Sequence, residues 1–273
     1  MGGYHLNAIR KFDVINKISI VETGKLSKEL SDNEVVFESL ESCLENGHHD
    51  LAVVASPTGT HVEIAEKLLN KGVKTLIEKP ISHTIDTASS LERFKDILAV
   101  GHIERFNPIV ESINQLLSDR HQKINFCSFS RLSTKPTRIS DVGVDLDLSI
   151  HDLDLAAHMF GKLDKLNDQK IKDEDDRVVD AKYELLCGKA TVSIHSSWLH
   201  QTLERKIILK TDEDEIIGDL SNKTLTLNNI PIEVNLAGPD QLTKQFKEFL
   251  KFANGQSSRV STYEDAIYAL KHV

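Results

Sequence analysis

Short apolar β-rich runs alternate with helical patterns from Leu6 to about Gly101, and this alternation constrains the chain more than any other feature. The runs cover residues 18–21, 35–37, 51–55, 73–77 and 97–100. Runs so uniformly apolar need cover on both faces, as in a parallel sheet flanked by crossover helices. Residues 61–70 supply one crossover: Val62, Ile64, Ala65, Leu68 and Leu69 recur at helical spacing and Gly72 marks the stop.

After Arg105 the texture changes. A helix over 108–118 leads into long β-rich segments at 123–132, 178–186, 190–199, 205–210 and 215–220. The polar turns between them, such as Cys187-Gly188-Lys189, predict antiparallel pairing. Helical patterns over 241–254 and 263–273 close the chain. The predicted fold class is α/β: a parallel-sheet domain over 1–105, then an α+β domain over 106–273 with an open, mainly antiparallel sheet.

Composition narrows the partners. A net charge of −9 without a clustered basic patch argues against nucleic-acid and anionic-membrane surfaces. Cys43, Cys127 and Cys187 are widely spaced and read as free thiols of a reducing compartment. No stretch approaches the roughly 18 apolar residues of a membrane span, and the start lacks the build of a signal peptide, so a cytoplasmic location is expected.

The run 73–77 exits into Glu78, Lys79 and Pro80. Ligands of open parallel sheets bind beyond the carboxyl ends of the strands, so a lysine there is placed for chemistry; the alternative is a solvated charge pair. Pro80 ends the strand because it has no N–H for the ladder. The run 51–55 exits into Ser56, Pro57, Thr58, Gly59, Thr60 and His61, a possible dinucleotide wall in which Thr60 reads equally as an N-cap. Gly2 and Gly3 feed straight into a helix, like the tail of a G-x-G-x-x-G phosphate turn, and Glu22 stands 20 residues after Gly2, placed for ribose hydroxyls. This pattern expects a preceding strand and further glycines, hence an N-terminally truncated piece of a dinucleotide-binding protein; a flexible start with no cofactor role is the other reading.

The richest stretch is 141–154. With a helix from Leu146 onward, Asp147, His151 and Asp154 share one face at i, i+4 and i+7, and a carboxylate one turn from an imidazole fixes its tautomer and raises its basicity. His158 extends that face, so His151, Asp154 and His158 have metal-like spacing. Against a metal, Leu148, Ile150, Leu153 and Leu155 make the helix mostly core and no second His/Asp cluster completes a site. No metal is expected, and an acid–base role is preferred over side chains that cap neighbouring loops.

In this order and spacing, Glu78-Lys79-Pro80, Gly101-His102-Ile103-Glu104-Arg105-Phe106-Asn107-Pro108 and Asp147-x-x-x-His151-x-x-Asp154 resemble the glucose-fructose oxidoreductase / inositol dehydrogenase / MocA family along nearly the whole chain. The segment 138–144, with Ser197-Trp198-Leu199 and then Arg205, is most similar to its UDP-N-acetylglucosamine 3-dehydrogenase branch. The resemblance implies a Rossmann domain binding NAD, with NADP possible, and a second domain carrying the substrate site and a homo-oligomer interface, dimer or tetramer. It implies catalytic roles for Lys79, Asp147 and His151. Cofactor contacts are implied for Gly2, Gly3, Glu22, Ser56, Pro57, Thr58, Thr60, His61, Glu78, Lys79 and Pro80. Substrate contacts are implied for Lys79, Arg105, Asn107, Arg138, Asp147, His151 and Trp198. On a nucleotide sugar, Arg138 and Arg205 are candidate contacts to the phosphates, with plain surface charge the alternative reading for each.

The reaction so implied moves a hydride between a secondary hydroxyl of a sugar or nucleotide sugar and nicotinamide. An inositol or other polyol, or a non-catalytic dinucleotide sensor, are the alternatives. His151 steadied by Asp147 is the expected base, with Lys79 stabilising the developing oxyanion; proton transfer through Lys79 stays open. Glu22, where the family usually has Asp, favours NAD because a carboxylate repels a 2′-phosphate, while Lys25 nearby works the other way. Ser149 stands where the family often has glycine.

Overall fold

The protein, described by a computed structural model over residues 1–24, 29–120, 122–137, 139 and 141–273, builds the predicted alternation in its first part. In chain order this part is α1 (Gly2–Ile9), β1 (Ile18–Val21), β2 (Glu34–Phe37), α2 (Leu40–Glu45), β3 (Leu51–Val54), α3 (His61–Leu69), β4 (Lys74–Glu78), α4 (Ile85–Ala88) and β5 (Leu98–Gly101). β3, β4 and β5 pair in parallel. Thr75, Leu76, Ile77 and Glu78 of β4 are all buried, as a strand covered on both faces must be. α3 turns Ala65, Leu68 and Leu69 to the core. It ends where Gly72 takes φ +76°, with Gly72 N donating to Leu69 O and Val73 N to Leu68 O, a left-handed stop that costs a β-carbon-free residue least.

The second part comprises α5 (Pro108–Arg120), β6 (Phe126–Thr134), α6 (Ile150–Phe160), β7 (Asp164–Lys172), β8 (Val178–Cys187), β9 (Ala190–Ser197), β10 (Leu199–Lys210), β11 (Glu215–Asp219), β12 (Thr224–Leu227), β13 (Ile230–Ile232), α7 (Gln241–Ala253), β14 (Ser261–Thr262) and α8 (Tyr263–His272). Eight strands form one sheet in the order β13-β12-β11-β10-β6-β9-β8-β7, antiparallel except where β6 meets β9. Side chains alternate as the pleat requires: Ala181, Tyr183 and Leu185 of β8 face the core while Lys182 and Glu184 face outward. α5 lies so close to β11 that a β-carbon on Gly218 would sit 2.5 Å from Ile109 Cγ2. The exposed, polar β7 carries no inward stripe, which is why no strand was read there.

Two expectations need correction. First, the sheet of the leading unit is divided: β1 and β2 form a separate parallel pair, and among the described residues no strand joins β1 to β3. Second, a cut at residue 105 does not separate the units. β14 pairs antiparallel with β5, completing the order β14-β5-β4-β3, and α7 and α8 pack on β5, so the last elements return to the first sheet. Phe246 and Phe249 of α7 share a small core with Leu76 and Ala99. No described helix is long and apolar enough to cross a membrane.

Candidate active site

Parallel pairing puts the exits of β3 and β4 at one edge, and His61 joins them. Its buried ring has Nδ1 2.9 Å from Pro80 O and Nε2 2.9 Å from Ser56 O. The Lys79–Pro80 peptide is cis. Thr58 N donates to Asp141 Oδ2 at 3.1 Å, and the Thr60 hydroxyl bonds Ser56 Oγ at 2.7 Å. Ser56, Pro57 and Thr60 stay accessible at this edge, whereas His61 is closed off and braces the loops from inside, a correction to its expected place in a cofactor wall.

Glu78 is likewise interior. Its Oε1 lies 2.6 Å from His5 Nε2 of α1, and its Oε2 accepts from Lys79 N at 3.2 Å. Burial alone would raise this carboxyl, but the bond and charge of His5 and the charge of Lys79 hold it below the usual range. Glu78 therefore ties α1 to the β4 exit instead of lying open beside a cofactor.

Lys79 reaches across to the second unit. Its Nζ donates to Asp147 Oδ1 at 2.9 Å and to Asp147 O at 2.7 Å. The expected Asp147–His151 pair is replaced by this one, for a local reason. Residues Asp145–Ser149 form a π-helical turn before α6, and the extra residue in that turn carries Asp147 off the α-helical line through His151 and Asp154. His151 sits at the start of α6, edge-on to His102 with ring centroids 6.3 Å apart, and its buried Nδ1 has no partner. Burial, then the charges of Lys79, Arg131, His102 and Arg205, hold its imidazole well below the ordinary value, so it is neutral at physiological pH and able to accept a proton.

Beneath this pair runs a buried ionic scaffold. Arg105, expected at the substrate, instead clamps Asp154 through Nε (2.8 Å) and Nη2 (2.6 Å) and reaches Asp265 through Nη1 (3.1 Å). Asp154 is thereby committed, so His151, Asp154 and His158 do not converge as ligands. Asn107, also expected at the substrate, is buried and donates to Glu104 Oε2 at 2.8 Å. Arg131 occupies a core-facing position of β6 in register with Cys127 and Phe129, and this becomes tolerable because Nε donates to Asp152 Oδ1 (2.8 Å) and Nη1 to Glu104 Oε1 (3.0 Å). Burial would raise Glu104, yet Arg131 and Asn107 bring it down to about 2; burial dominates at Asp152, whose Oδ2 has no partner, and pushes it up to about 6.

Of the remaining expected residues, Gly2 and Gly3 open α1 at the surface, and nothing lies within 4 Å of a β-carbon built on Gly2. Glu22 is exposed and accepts from Gly24 N at 3.0 Å. Trp198 is buried with its Nε1 unpartnered. Arg138 and Lys25 lie outside the described residues. Sequence reasoning missed Arg131, Asp152 and Lys223, although an arginine on the inward phase of an alternating strand was a readable signal for Arg131. It also missed Asp180, His195 and His200, whose potential ligand atoms lie within 4.8 Å of one another, because the β8–β9 pairing sets Asp180 beside His195 and the step from β9 into β10 adds His200.

A family model described as an oxidoreductase family with an NAD-binding Rossmann fold matches residues 1–98. A UDP-N-acetylglucosamine 3-dehydrogenase from Acidithiobacillus ferrooxidans is 34% identical over 117 residues, 41% of this chain and 36% of that relative. A scyllo-inositol 2-dehydrogenase (NADP(+)) from Bacillus subtilis is 28% identical over 160 residues, 54% of this chain and 44% of that relative. The matches thus span less than half of either relative's length. Among solved structures, the WlbA dehydrogenase from Bordetella pertussis, in complex with NADH and UDP-GlcNAcA, superposes with a TM-score of 0.81 at 16% identity over 98% of this chain and 89% of that one, a likeness of fold.

Proposed function

We propose, from the premise that over residues 1–98 this chain belongs to the Gfo/Idh/MocA oxidoreductase family with its NAD-binding Rossmann fold, that the protein oxidises a secondary hydroxyl of a sugar or nucleotide sugar. The observation that carries this is the Lys79 ammonium, held on the Asp147 carboxylate at 2.9 Å at a strand exit, next to a neutral His151. The nicotinamide of a bound dinucleotide would accept the hydride. Lys79 donates a hydrogen bond to the reacting oxygen and stabilises its developing negative charge, while Asp147 fixes the amine and balances it. His151 takes the hydroxyl proton; its neutral form is secured by burial and by the cations around it, which also make the imidazolium short-lived.

The residues at the sheet edge suit a dinucleotide. The glycine-lined start of α1 has open space for a pyrophosphate, the exposed Glu22 carboxylate suits ribose hydroxyls, and Ser56, Pro57 and Thr58 form the turn beyond β3. NAD is favoured over NADP because Glu22 would repel a 2′-phosphate. A homodimer or tetramer would cover Leu199 and Leu203 of β10 and Leu166 and Ile171 of β7, which are exposed in the single chain.

The test follows NADH absorbance with a panel of sugars and nucleotide sugars. Lys79→Ala is expected to lower turnover by about 10²–10⁴-fold with an unchanged circular dichroism spectrum. Near-normal turnover in that variant rejects the role assigned to Lys79.

A further inference from the structure

The acids of the site are already spoken for. Asp147 pairs with Lys79, Asp154 with Arg105, and Glu104 and Asp152 with Arg131. Two half-buried cations on the same side of the eight-stranded sheet are left without a carboxylate partner among the described residues: Arg205 and Lys223. Arg205 lies opposite Arg131 across the β10–β6 ladder, a like-charge neighbour that no fold needs. Among the described residues it has no side-chain hydrogen bond, and Arg131 itself has a buried Nη2 with no acceptor. Lys223 Nζ has only neutral partners, Leu220 O at 2.6 Å and Asn107 Oδ1 at 3.3 Å. Its backbone is held at φ +58°, a conformation costly for a side chain of this kind.

Half-buried cations without counterions are destabilising unless something else supplies the charge. Burial, then the neighbouring Arg131, lowers the affinity of Arg205 for its proton, and its field reaches both Asp147 and His151. We infer that Arg205 and Lys223 form an anion subsite next to the Lys79–His151 pair, and that the substrate is an anionic sugar, carrying a phosphate or carboxylate, in preference to a neutral polyol. The guanidinium offers two parallel donors to such a group, and Lys223 adds a point charge. The inference rests on the dehydrogenase reading only for what the anion is attached to.

Isothermal titration of UDP-N-acetylglucosamine, glucuronate and scyllo-inositol into the full chain and into Arg205→Gln tests it. At least one anionic probe should bind about tenfold or more weakly to Arg205→Gln, with partial recovery in Arg205→Lys and a smaller loss in Lys223→Gln, while scyllo-inositol is unaffected. The diphosphate and carboxylate arms decide which anion is meant. Because the variant removes repulsion, its melting temperature should equal or exceed that of the parent, which separates ligand binding from a structural role. Equal anion affinity in parent and Arg205→Gln, or no anion binding by the parent, overturns the subsite. NADH formation is followed in parallel: Arg205-dependent anion binding without NADH defeats the dehydrogenase reading alone, and NADH formed from scyllo-inositol with no anionic probe bound defeats the subsite alone.

Discussion

Asp152→Asn should stabilise the protein at pH 7 although it removes one member of a buried ion pair. The carboxylate is 1% exposed, makes one bond to Arg131 Nε at 2.8 Å, and leaves Oδ2 unpartnered. Raising its pKa from 3.8 to about 6 means that the unfolded chain releases the proton first. Stability is therefore diminished above pH 6 and returns as pH falls toward 4, and the full effect is about 3 kcal/mol. Asparagine keeps an acceptor for Arg131 Nε and carries no charge, but its amide replaces Oδ2 where no acceptor is at hand, a loss of ~1–2 kcal/mol. The expected net gain at pH 7 is ~1–2 kcal/mol, shrinking as the pH approaches 4.

Urea unfolding read through the single tryptophan, Trp198, measures this directly at a series of pH values. Glu104 has the opposite sign and bounds the window: its pKa is depressed to about 2, so the stability it contributes is present above 4.5 and lost as pH falls toward 2 in both proteins. A variant less stable than the parent by more than ~1 kcal/mol at pH 7, or a stability difference between the two that does not shrink between pH 7 and pH 5, would refute the reasoning; the difference is the quantity to read, because the buried neutral His102 and His151 lower the stability of both proteins over the same window.

Arg105→Met strands Asp154 in the interior with only Ser261 Oγ at 3.3 Å and His102 Nδ1 at 3.8 Å, and thermal melting should register a loss of ~3–5 kcal/mol. Gly218→Ala puts a methyl 2.5 Å from Ile109 Cγ2 and 3.1 Å from Ile113 Cδ1, for an expected loss of ~1–3 kcal/mol; adding Ile109→Ala to it should lose less than the sum of the two single effects in a double-mutant cycle.

Local patterns legible in the chain became local structure. The stripe over 61–70 is α3, the stop at Gly72 is real, and the runs before Glu78 and before Ser56 became parallel neighbours, because periodic burial and backbone-permissive residues act over a few positions. Lys79 was legible as a strand-exit lysine for the same reason. Its partner was not. Reading 146–154 as uniform α-helix paired Asp147 with His151, and a single π turn, invisible in residue identities, gave Asp147 to Lys79 instead. Arg105, Asn107 and Glu78 took their expected roles from motifs shared with the family and His61 from its place at a strand exit, and neither tells a side chain facing a ligand from one bonded inside the wall.

The sequence alone determined most of the helices and strands, though not β7, β12 or β13, and that a parallel sheet comes first and a mainly antiparallel one second; the grouping of Lys79, Asp147 and His151 came from the family resemblance. Tertiary structure decided the charge partners: Asp147 with Lys79, Asp154 with Arg105, Arg131 with Glu104 and Asp152, and, among the described residues, Arg205 and Lys223 with none. It also returned α7, β14 and α8 to the first sheet. The physical reason is range. Backbone periodicity is written in neighbours, whereas the cost of a buried charge depends on what the whole fold brings within a few ångströms of it.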